Sequence, residues 1–260
     1  MGKYDDFNDL EITLNDYVAT VEIKRPPFNF FDFELIRQLA EAYERLDEDD
    51  DARAIVLCSE GKAFCAGANF AARERGEEPN DQAGQLYIEA VRMFRTGKPV
   101  VAAVQGAAVG GGLGLAMSAD FRIACPESRF CANFSRLGFH QGFGLSVTLP
   151  RVIGTVQSEL MFYTGKRVKG EEAFAMGLAE QLVPLAEVRT AAQALAREIA
   201  ISAPLAIREI RRTMRGELAD QVRAATDHEL SVQTELRASE DFGEGVKAMA
   251  ERREPNFQGR

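Results

Sequence analysis

The stretch VQGAAVGGGLGLAMSAD, Val104–Asp120, contains three consecutive glycines, Gly110–Gly112, directly before an apolar segment. The apolar run KPVVAAVQG leads into it, so the glycines stand between a predicted buried strand and a predicted buried helix. A glycine inside a helix costs about 1 kcal/mol relative to alanine. The chain therefore uses glycine here for one of two reasons: the backbone approaches a neighbour closely, or free amides at the helix start bind a ligand.

Three kinds of ligand site can be tested against these glycines. The dinucleotide fingerprint G-x-G-x-x-G fails because Leu115 occupies its last glycine position, and the Gly-Lys-Ser/Thr of a phosphate loop is absent. A helix N-terminus that offers N–H groups to an oxygen gaining negative charge remains. Close packing of the helix on a strand is the alternative, and the glycines alone leave both interpretations open.

A second turn of small residues favours binding. The stretch GKAFCAGANF, Gly61–Phe70, follows the predicted strand Ala52–Ser59 and contains Ala66-Gly67-Ala68. Two such turns at the ends of neighbouring strands can direct two backbone amides toward one oxygen. Such a pair forms an oxyanion hole, in which each donor is worth about 3–4 kcal/mol in comparable sites.

Composition limits the class of protein. The 260 residues are 46% hydrophobic, enough for one large core or two modest ones. A formal net charge of -9 and an isoelectric point near 5.0 argue against nucleic-acid binding. No apolar run reaches the roughly 20 residues of a membrane span, and the N-terminus lacks the pattern of a signal peptide. We therefore expect a cytoplasmic protein with neither nucleic acid nor membrane as partner.

The cysteines and histidines indicate no metal chemistry. Four cysteines lie in or beside apolar segments without CxxC spacing, which predicts reduced, buried thiols: Cys58, Cys65, Cys125 and Cys131. The two histidines are far apart in the sequence, so a zinc site is not expected.

Strand and helix patterns alternate over the first 150 residues, which predicts a layered α/β core. Thr20–Arg25 is a predicted strand, and Asp32 is the predicted N-cap of the helix after it. From Gly144 onward the pattern is almost wholly helical, with residues 204–237 as one long helix and Ser239 capping the last. We expect a core over residues 1–200 and a helical region over 201–260.

At this point the chain resembles the enoyl-CoA hydratase/isomerase, or crotonase, superfamily over nearly its whole length. The resemblance runs through VEIKRPPFN, AIVLCSEGKAFCAGANF, KPVVAAVQGAAVGGGLGLAMSADFRIA, VTLPRVIG, YTGKRVKGEEAFAMGLAEQLVP and SEDFGEGVKAMAERREPNFQG, in that order. It implies a spiral of β-β-α units followed by a helical C-terminal region that builds a homotrimer or a hexamer. It also implies an acyl-coenzyme A thioester as substrate, with coenzyme A as part of that substrate and no tightly bound cofactor.

The resemblance also assigns site residues. The amides of Ala68 and Gly111 would hold the thioester oxygen as it becomes an enolate, beside Gly110. The remaining substrate contacts would come from Pro27 and Phe28 near the nucleotide, Ala66 near the adenine and pantetheine, and Arg252, less surely Lys247, in the terminal helix that reaches a neighbouring subunit. A solvated charge is the alternative for Arg252.

The acid positions of the family are empty. One carboxylate of the hydratases stands two residues after the glycine triplet, where this chain has Gly114. The other stands four residues before Gly138, where it has Phe134. A third acid used by some relatives corresponds to Gly142. Because general acid–base catalysis contributes roughly 10²–10⁴-fold, we expect ordinary hydration to be very weak.

His140 is the candidate replacement because its loop holds acids in relatives and imidazole titrates near neutral pH. A loop histidine bonded to the backbone is the alternative. We expect the other candidates to be surface, core or turned away: Glu74, Glu77, Glu78 and His228 at the surface, Tyr87 and Tyr163 in the core, and Asn133 and Ser135 turned away if Phe134 faces the pocket. Phe134, Phe139 and Phe143 suggest a bulky or apolar acyl group.

Two classes of function follow. The first is an enzyme that acts on a coenzyme A thioester through an enolate. Its reaction could be decarboxylation of a malonyl-type thioester, which forms the enolate without a base, or carbon–carbon hydrolysis with His140 as base. The second is a catalytically silent acyl-CoA-binding or assembly subunit.

Overall fold

The computed structural model describes residues 3–70 and 82–260. The expectation for Glu74, Glu77 and Glu78 therefore lies outside the described residues. The strands are β1 (Leu10–Asn15), β2 (Val18–Ile23), β3 (Ala54–Ser59), β4 (Val100–Val104), β5 (Ala107–Val109), β6 (Phe121–Ala124), β7 (Arg129–Cys131), β8 (Arg167–Lys169) and β9 (Gln181–Leu182). The helices are α1 (Phe33–Asp47), α2 (Ala83–Phe94), α3 (Gly111–Ser118), α4 (Leu145–Ile153), α5 (Thr155–Thr164), α6 (Gly170–Ala175), α7 (Val188–Ala200), α8 (Pro204–Arg215), α9 (Leu218–Arg237) and α10 (Glu240–Glu251).

Two sheets form the body. The larger has the order β1-β2-β3-β4-β6-β9, in which β1 is antiparallel to β2 and all other neighbours are parallel. The smaller has the order β5-β7-β8, with β5 parallel and β8 antiparallel to β7. Every residue of β3 and β4 is buried, as expected for continuous apolar strands inside a parallel sheet.

The capping and turn residues in the sequence predicted several ends of helices and strands correctly. The Asp32 carboxylate accepts a hydrogen bond from the Leu35 amide at 2.9 Å and caps α1. The Ser239 hydroxyl accepts from the Phe242 amide at 3.2 Å and caps α10. Two short strands, β6 and β7, flank the turn at Pro126 as predicted.

The predicted helix over residues 204–237 is wrong as a single element. It breaks at Gly216, whose positive φ of 52° ends α8 before α9 begins. Strands β1, β5, β8 and β9 were also not predicted, and β5, β8 and β9 have only two or three residues each, too few to show a periodicity.

The C-terminal helices share the main hydrophobic core. Leu218 and Val222 of α9 and Val246 of α10 are buried in the same cluster as the α1 and α2 side chains. Helix α9 packs along α2 and α4. All four cysteines are buried free thiols, as predicted. Within residues 3–70 and 82–260 no helix is long and apolar enough to cross a membrane.

Candidate active site

A cavity of about 270 Å³ lies where the segments after β3 and β4 meet the C-terminal helices. Its wall includes Ala66 and Ala68 from the first segment and Gly110 and Gly111 from the second. Phe134 also lines it. The structure thus brings five of the predicted site residues to one space.

Main-chain hydrogen bonds clamp the two small-residue turns together. The Cys65 amide donates to the Ala107 carbonyl at 2.9 Å, and the Val109 amide donates to the Cys65 carbonyl at 3.1 Å. Cys65 and Ala108 form an isolated parallel bridge. The clamp stands directly before Ala66 on one turn and directly before Gly110 on the other, so it fixes the relative position of both turns.

The glycine triplet permits close packing. A Cβ at Gly111 would overlap the Phe31 ring, and one at Gly112 would overlap the Cys65 carbonyl oxygen of the clamp. Gly110 has φ 57° and ψ −121°, a conformation that side chains disfavour. Close packing therefore accounts for Gly111 and Gly112, and Gly110 and Gly111 also line the cavity.

The amides of Ala68 and Gly111 have no acceptor among the residues the structure describes. Gly111 is the first residue of α3, so helix geometry leaves its N–H unpaired and adds the positive end of the helix dipole. Both residues are half-buried on the wall of the cavity. Two unpaired donors at one cavity are what an oxyanion needs.

Aromatic side chains fill the first two acid positions. A Cβ at Gly114 would lie 2.5 Å from Phe143 Cβ, so the Phe143 side chain occupies the space that a glutamate there would enter. Phe134 is 7% exposed and packs edge-on against Phe139, with ring centroids 5.5 Å apart. Phe139 also contacts Phe70 and Phe242. This side of the cavity is apolar.

Polar atoms fill the third acid position. A Cβ at Gly142 would overlap the Tyr87 hydroxyl oxygen and would lie 2.6 Å from Gln233 Nε2. Tyr87 donates to Gln233 Oε1 at 3.0 Å, and Gln233 Nε2 donates to the His140 carbonyl at 3.0 Å. Arg237 Nη2 lies 3.4 Å from Gln233 Oε1. Burial, with a smaller contribution from Glu229, raises the pKa of Tyr87 to about 12.

These polar residues were missed or misjudged from the sequence. Tyr87 was predicted as core, and it is buried, but it also lines the cavity. The available signal was a line of buried polar residues at helical spacing on α9: Thr226, Glu229 and Gln233. Glu229 is fully buried and accepts the amides of Gly144 and Ser146, so it caps α4 and does not line the cavity.

The structure does not bring His140 to the cavity. Its Nδ1 lies 2.9 Å from the Gln141 carbonyl oxygen, and its ring packs edge-on against His228 with centroids 5.9 Å apart. The side chain is absent from the cavity lining. This geometry matches the alternative of a loop histidine bonded to the backbone, and it removes the support for His140 as a base. His228 is exposed, as expected.

Two further expectations fail on geometry. Asn133 lines the cavity instead of turning away, because Asn133–Leu137 forms a 3-10 helix and not an alternating strand. Ser135 does turn away from the cavity, as expected, and its hydroxyl donates to the Phe162 carbonyl at 2.7 Å. Tyr163 is 74% exposed, so it does not belong to the core.

The predicted nucleotide contacts lie outside the cavity lining. Pro27 and Phe28 are exposed, and the Phe28 carbonyl accepts from the Ala66 amide at 2.9 Å. Lys62 Nζ stands 4.7 Å from the Phe28 ring centroid. Arg252 is exposed at the end of α10, and Lys247 is exposed on that helix.

The fold and this cavity define an α/β protein of the crotonase type. A family model described as Enoyl-CoA hydratase/isomerase matches residues 13–260, and the chain belongs to that family. A probable enoyl-CoA hydratase of Bacillus subtilis (strain 168) is 30% identical over 97% of this chain and 99% of its own length. The 1,2-epoxyphenylacetyl-CoA isomerase of Escherichia coli (strain K12) is 30% identical over 94% of this chain and 95% of its own.

A solved structure agrees with this assignment. The enoyl-CoA hydratase/isomerase from Pseudoalteromonas atlantica T6c superposes with a TM-score of 0.84 at 28% identity, covering 96% of this chain and all of its own. The predicted superfamily and the predicted α/β fold with a helical C-terminal region are confirmed. The chain is related throughout its length to lyases and isomerases that are named for coenzyme A thioesters.

Proposed function

We propose that the protein converts an acyl-CoA thioester through an enolate whose oxygen is held by the amides of Ala68 and Gly111. The observation that supports this most is the pair of unpaired amides on turns clamped by Cys65. Negative charge that forms on the thioester oxygen is stabilised there without reorganisation of the backbone. Relatives named for enoyl-CoA and epoxyphenylacetyl-CoA substrates fit the same ligand class.

The nucleotide end of the ligand fits the exposed edge beside the cavity. Phe28 is 41% exposed and supplies an aromatic ring for an adenine, and Lys62 adds a positive charge for phosphates. The hydrogen bond from Ala66 to Phe28 joins this edge to the first turn of the oxyanion hole. Pro27 and Arg252 extend the proposed contact, and coenzyme A enters as part of the substrate.

The reaction we favour forms the enolate by loss of CO₂ from a malonyl-type thioester. The first two acid positions are filled by Phe143 and Phe134, so no carboxylate base stands there. An apolar wall destabilises a buried carboxylate, and decarboxylation moves its charge to the oxygen held by the amides. Hydration would need a carboxylate pair that the described lining does not contain.

A silent acyl-CoA-binding subunit is the second candidate, because the same filled acid positions would also result from loss of activity. A panel of thioesters followed by mass spectrometry separates the two. We expect a malonyl-type thioester to lose CO₂ and crotonyl-CoA to stay almost unchanged. Binding of coenzyme A thioesters without conversion of any would leave only the silent subunit.

One control concerns the carboxylates of the segment outside the described residues. Joint replacement of Glu74, Glu77 and Glu78 by glutamine should leave turnover within twofold. Loss of turnover would mean that one of them is the base, and the proposed route to the enolate would be wrong.

We further propose that the protein forms a trimer or a pair of trimers. Helix α8 turns two of its arginines inward: Arg211 Nε lies 2.9 Å from Asp120 Oδ2, and Arg215 Nε lies 3.5 Å from Asp120 Oδ1. Its apolar side chains face outward: Leu205, Ile210 and Met214 are 75%, 58% and 69% exposed. An outward apolar face of this kind is typical of a surface covered by another subunit. Light scattering should give three or six chains, and a stable monomer at micromolar concentration would contradict this.

A further inference from the structure

Three polar side chains of the cavity come from two helices. Tyr87 comes from α2, and Gln233 and Arg237 come from α9. Tyr87 and Gln233 meet at Gly142, the third acid position. The phenol oxygen stands where a side chain from residue 142 would begin, so a hydroxyl from another element occupies that position.

Hydrogen bonds fix the orientation of this phenol. Gln233 is 1% exposed, and its amide nitrogen donates to the His140 carbonyl at 3.0 Å. The amide oxygen therefore faces Tyr87 and accepts a hydrogen bond from its hydroxyl, with 3.0 Å between the two oxygens. Rotation about the C–O bond of Tyr87 alone would redirect that proton toward a ligand, with the ring kept in place.

Tyr87 is the group on this wall that can give up a proton. Along the described lining, only Tyr87 and Arg237 have titratable side chains, and a guanidinium does not release its proton in proteins. Because burial raises the pKa of Tyr87 to about 12, the phenol stays neutral at physiological pH. A neutral phenol next to a strongly basic enolate acts as an acid.

We propose that Tyr87 is the catalytic acid of this cavity and protonates the α carbon of the enolate, with Gln233 as its positioning residue. This rests on the proposed function. The O–H bond of Tyr87 breaks and a C–H bond forms at the α carbon, while the charge of the enolate passes to the phenolate. The phenolate regains a proton from water when the product leaves, so the sum is a thioester with H in place of CO₂⁻.

The test uses methylmalonyl-CoA, a malonyl thioester with a methyl branch, in D₂O. Delivery of one deuteron from a fixed phenol makes a single stereoisomer of the α-deuterated product. In Tyr87→Phe we expect product formation to fall about 10²-fold, the lower end of general acid catalysis, with KM nearly unchanged. The residual product should contain both stereoisomers because water then protonates the enolate.

Two variants complete the experiment. Gln233→Leu should lower kcat and mix the stereoisomers without raising KM, whereas a purely structural role would change only stability. Tyr163→Phe removes a hydroxyl from an exposed side chain outside the cavity lining and should match the native protein.

The outcomes separate the two proposals. Native rate and a single stereoisomer in a folded Tyr87→Phe would overturn the role of Tyr87 and leave the proposed function standing. Failure of the native protein to convert any thioester in the panel would overturn both.

Discussion

The turns that bear the amides differ from the wall around the acid positions: the first leave the backbone open to the cavity, whereas in the second side chains fill the space. Around Ala68 and Gly111, glycines and alanines keep the backbone open to the cavity, and both N–H groups are unpaired within the described residues. Around Gly114 and Gly142, side chains from elsewhere in the chain fill the space: Phe143 at one position and Tyr87 with Gln233 at the other.

This difference separates charge stabilisation from proton transfer. The two turns keep unpaired amides at the cavity within the described residues, which is the arrangement proposed above to hold an oxyanion. Side chains other than carboxylates fill the acid positions, so a proton has to be transferred by another group. Other side chains therefore fill the space at Gly114 and Gly142, and a glutamate introduced at either position would clash with them.

The largest effect should come from removal of an amide. Ala68→Pro deletes the N–H without removing a contact of the methyl group, and Ala68→Gly keeps the N–H as its matched control. We expect Ala68→Pro to lower kcat by about 10²–10³-fold, as for other oxyanion donors, and Ala68→Gly to stay near native. Steady-state kinetics on the converted thioester, with circular dichroism to confirm folding, measures this. Equal rates in the two variants would contradict the role of the amide.

The second prediction tests whether Phe143 really fills the first acid position. Gly114→Ala should improve helix propensity by about 1 kcal/mol, but its Cβ would lie 2.5 Å from Phe143 Cβ. We expect overpacking to win and the free energy of unfolding to fall by about 1–3 kcal/mol.

In a Phe143→Ala background, Gly114→Ala should lower the free energy of unfolding by less than it does in the native protein. Urea denaturation of the four proteins gives the coupling between positions 114 and 143. Additive effects would show that Phe143 does not compete for this space.

A smaller effect concerns the clamp between the turns. Burial raises the pKa of the Cys65 thiol to about 12, so little thiolate, the reactive form, is present at pH 8. We expect iodoacetamide to leave Cys65 unmodified in the folded protein and to label it after unfolding in urea. Mass spectrometry of the Cys65 peptide reports this, and rapid labelling at pH 8 would mean that the clamp opens.

The pattern of the sequence predicted the amide-bearing turns better than the wall around the acid positions, and the reason is physical. Ala66–Ala68 and Gly110–Gly112 are consecutive residues, and their role depends on local backbone shape. The absence of an acidic residue at positions 114, 134 and 142 could also be seen in the sequence, because it depends only on which residue stands there. What fills those positions depends on contacts such as Tyr87 with Gln233, separated by 146 residues. No local pattern contains such contacts.

The same distinction explains why the orientations of His140 and Asn133 in the structure differ from the expected ones. Each was assigned an orientation from its neighbours in sequence, His140 from its loop and Asn133 from strand alternation. The 3-10 helix at Asn133–Leu137 changed the direction of Asn133, and the packing against His228 on α9 set that of His140. Strands β3 and β4 and helices α1 and α2 were predictable because their apolar periodicity is set by burial alone.

Infrared difference spectroscopy of a ¹³C-labelled acetyl-CoA carbonyl shows whether two main-chain amides polarise the thioester carbonyl. On binding, we expect the C=O stretch to move to lower frequency, by less in Ala68→Pro and by the full amount in Ala68→Gly. A bound carbonyl whose stretch equals that in water, or a shift that survives in Ala68→Pro, would mean that the amide of Ala68 does not hold the carbonyl.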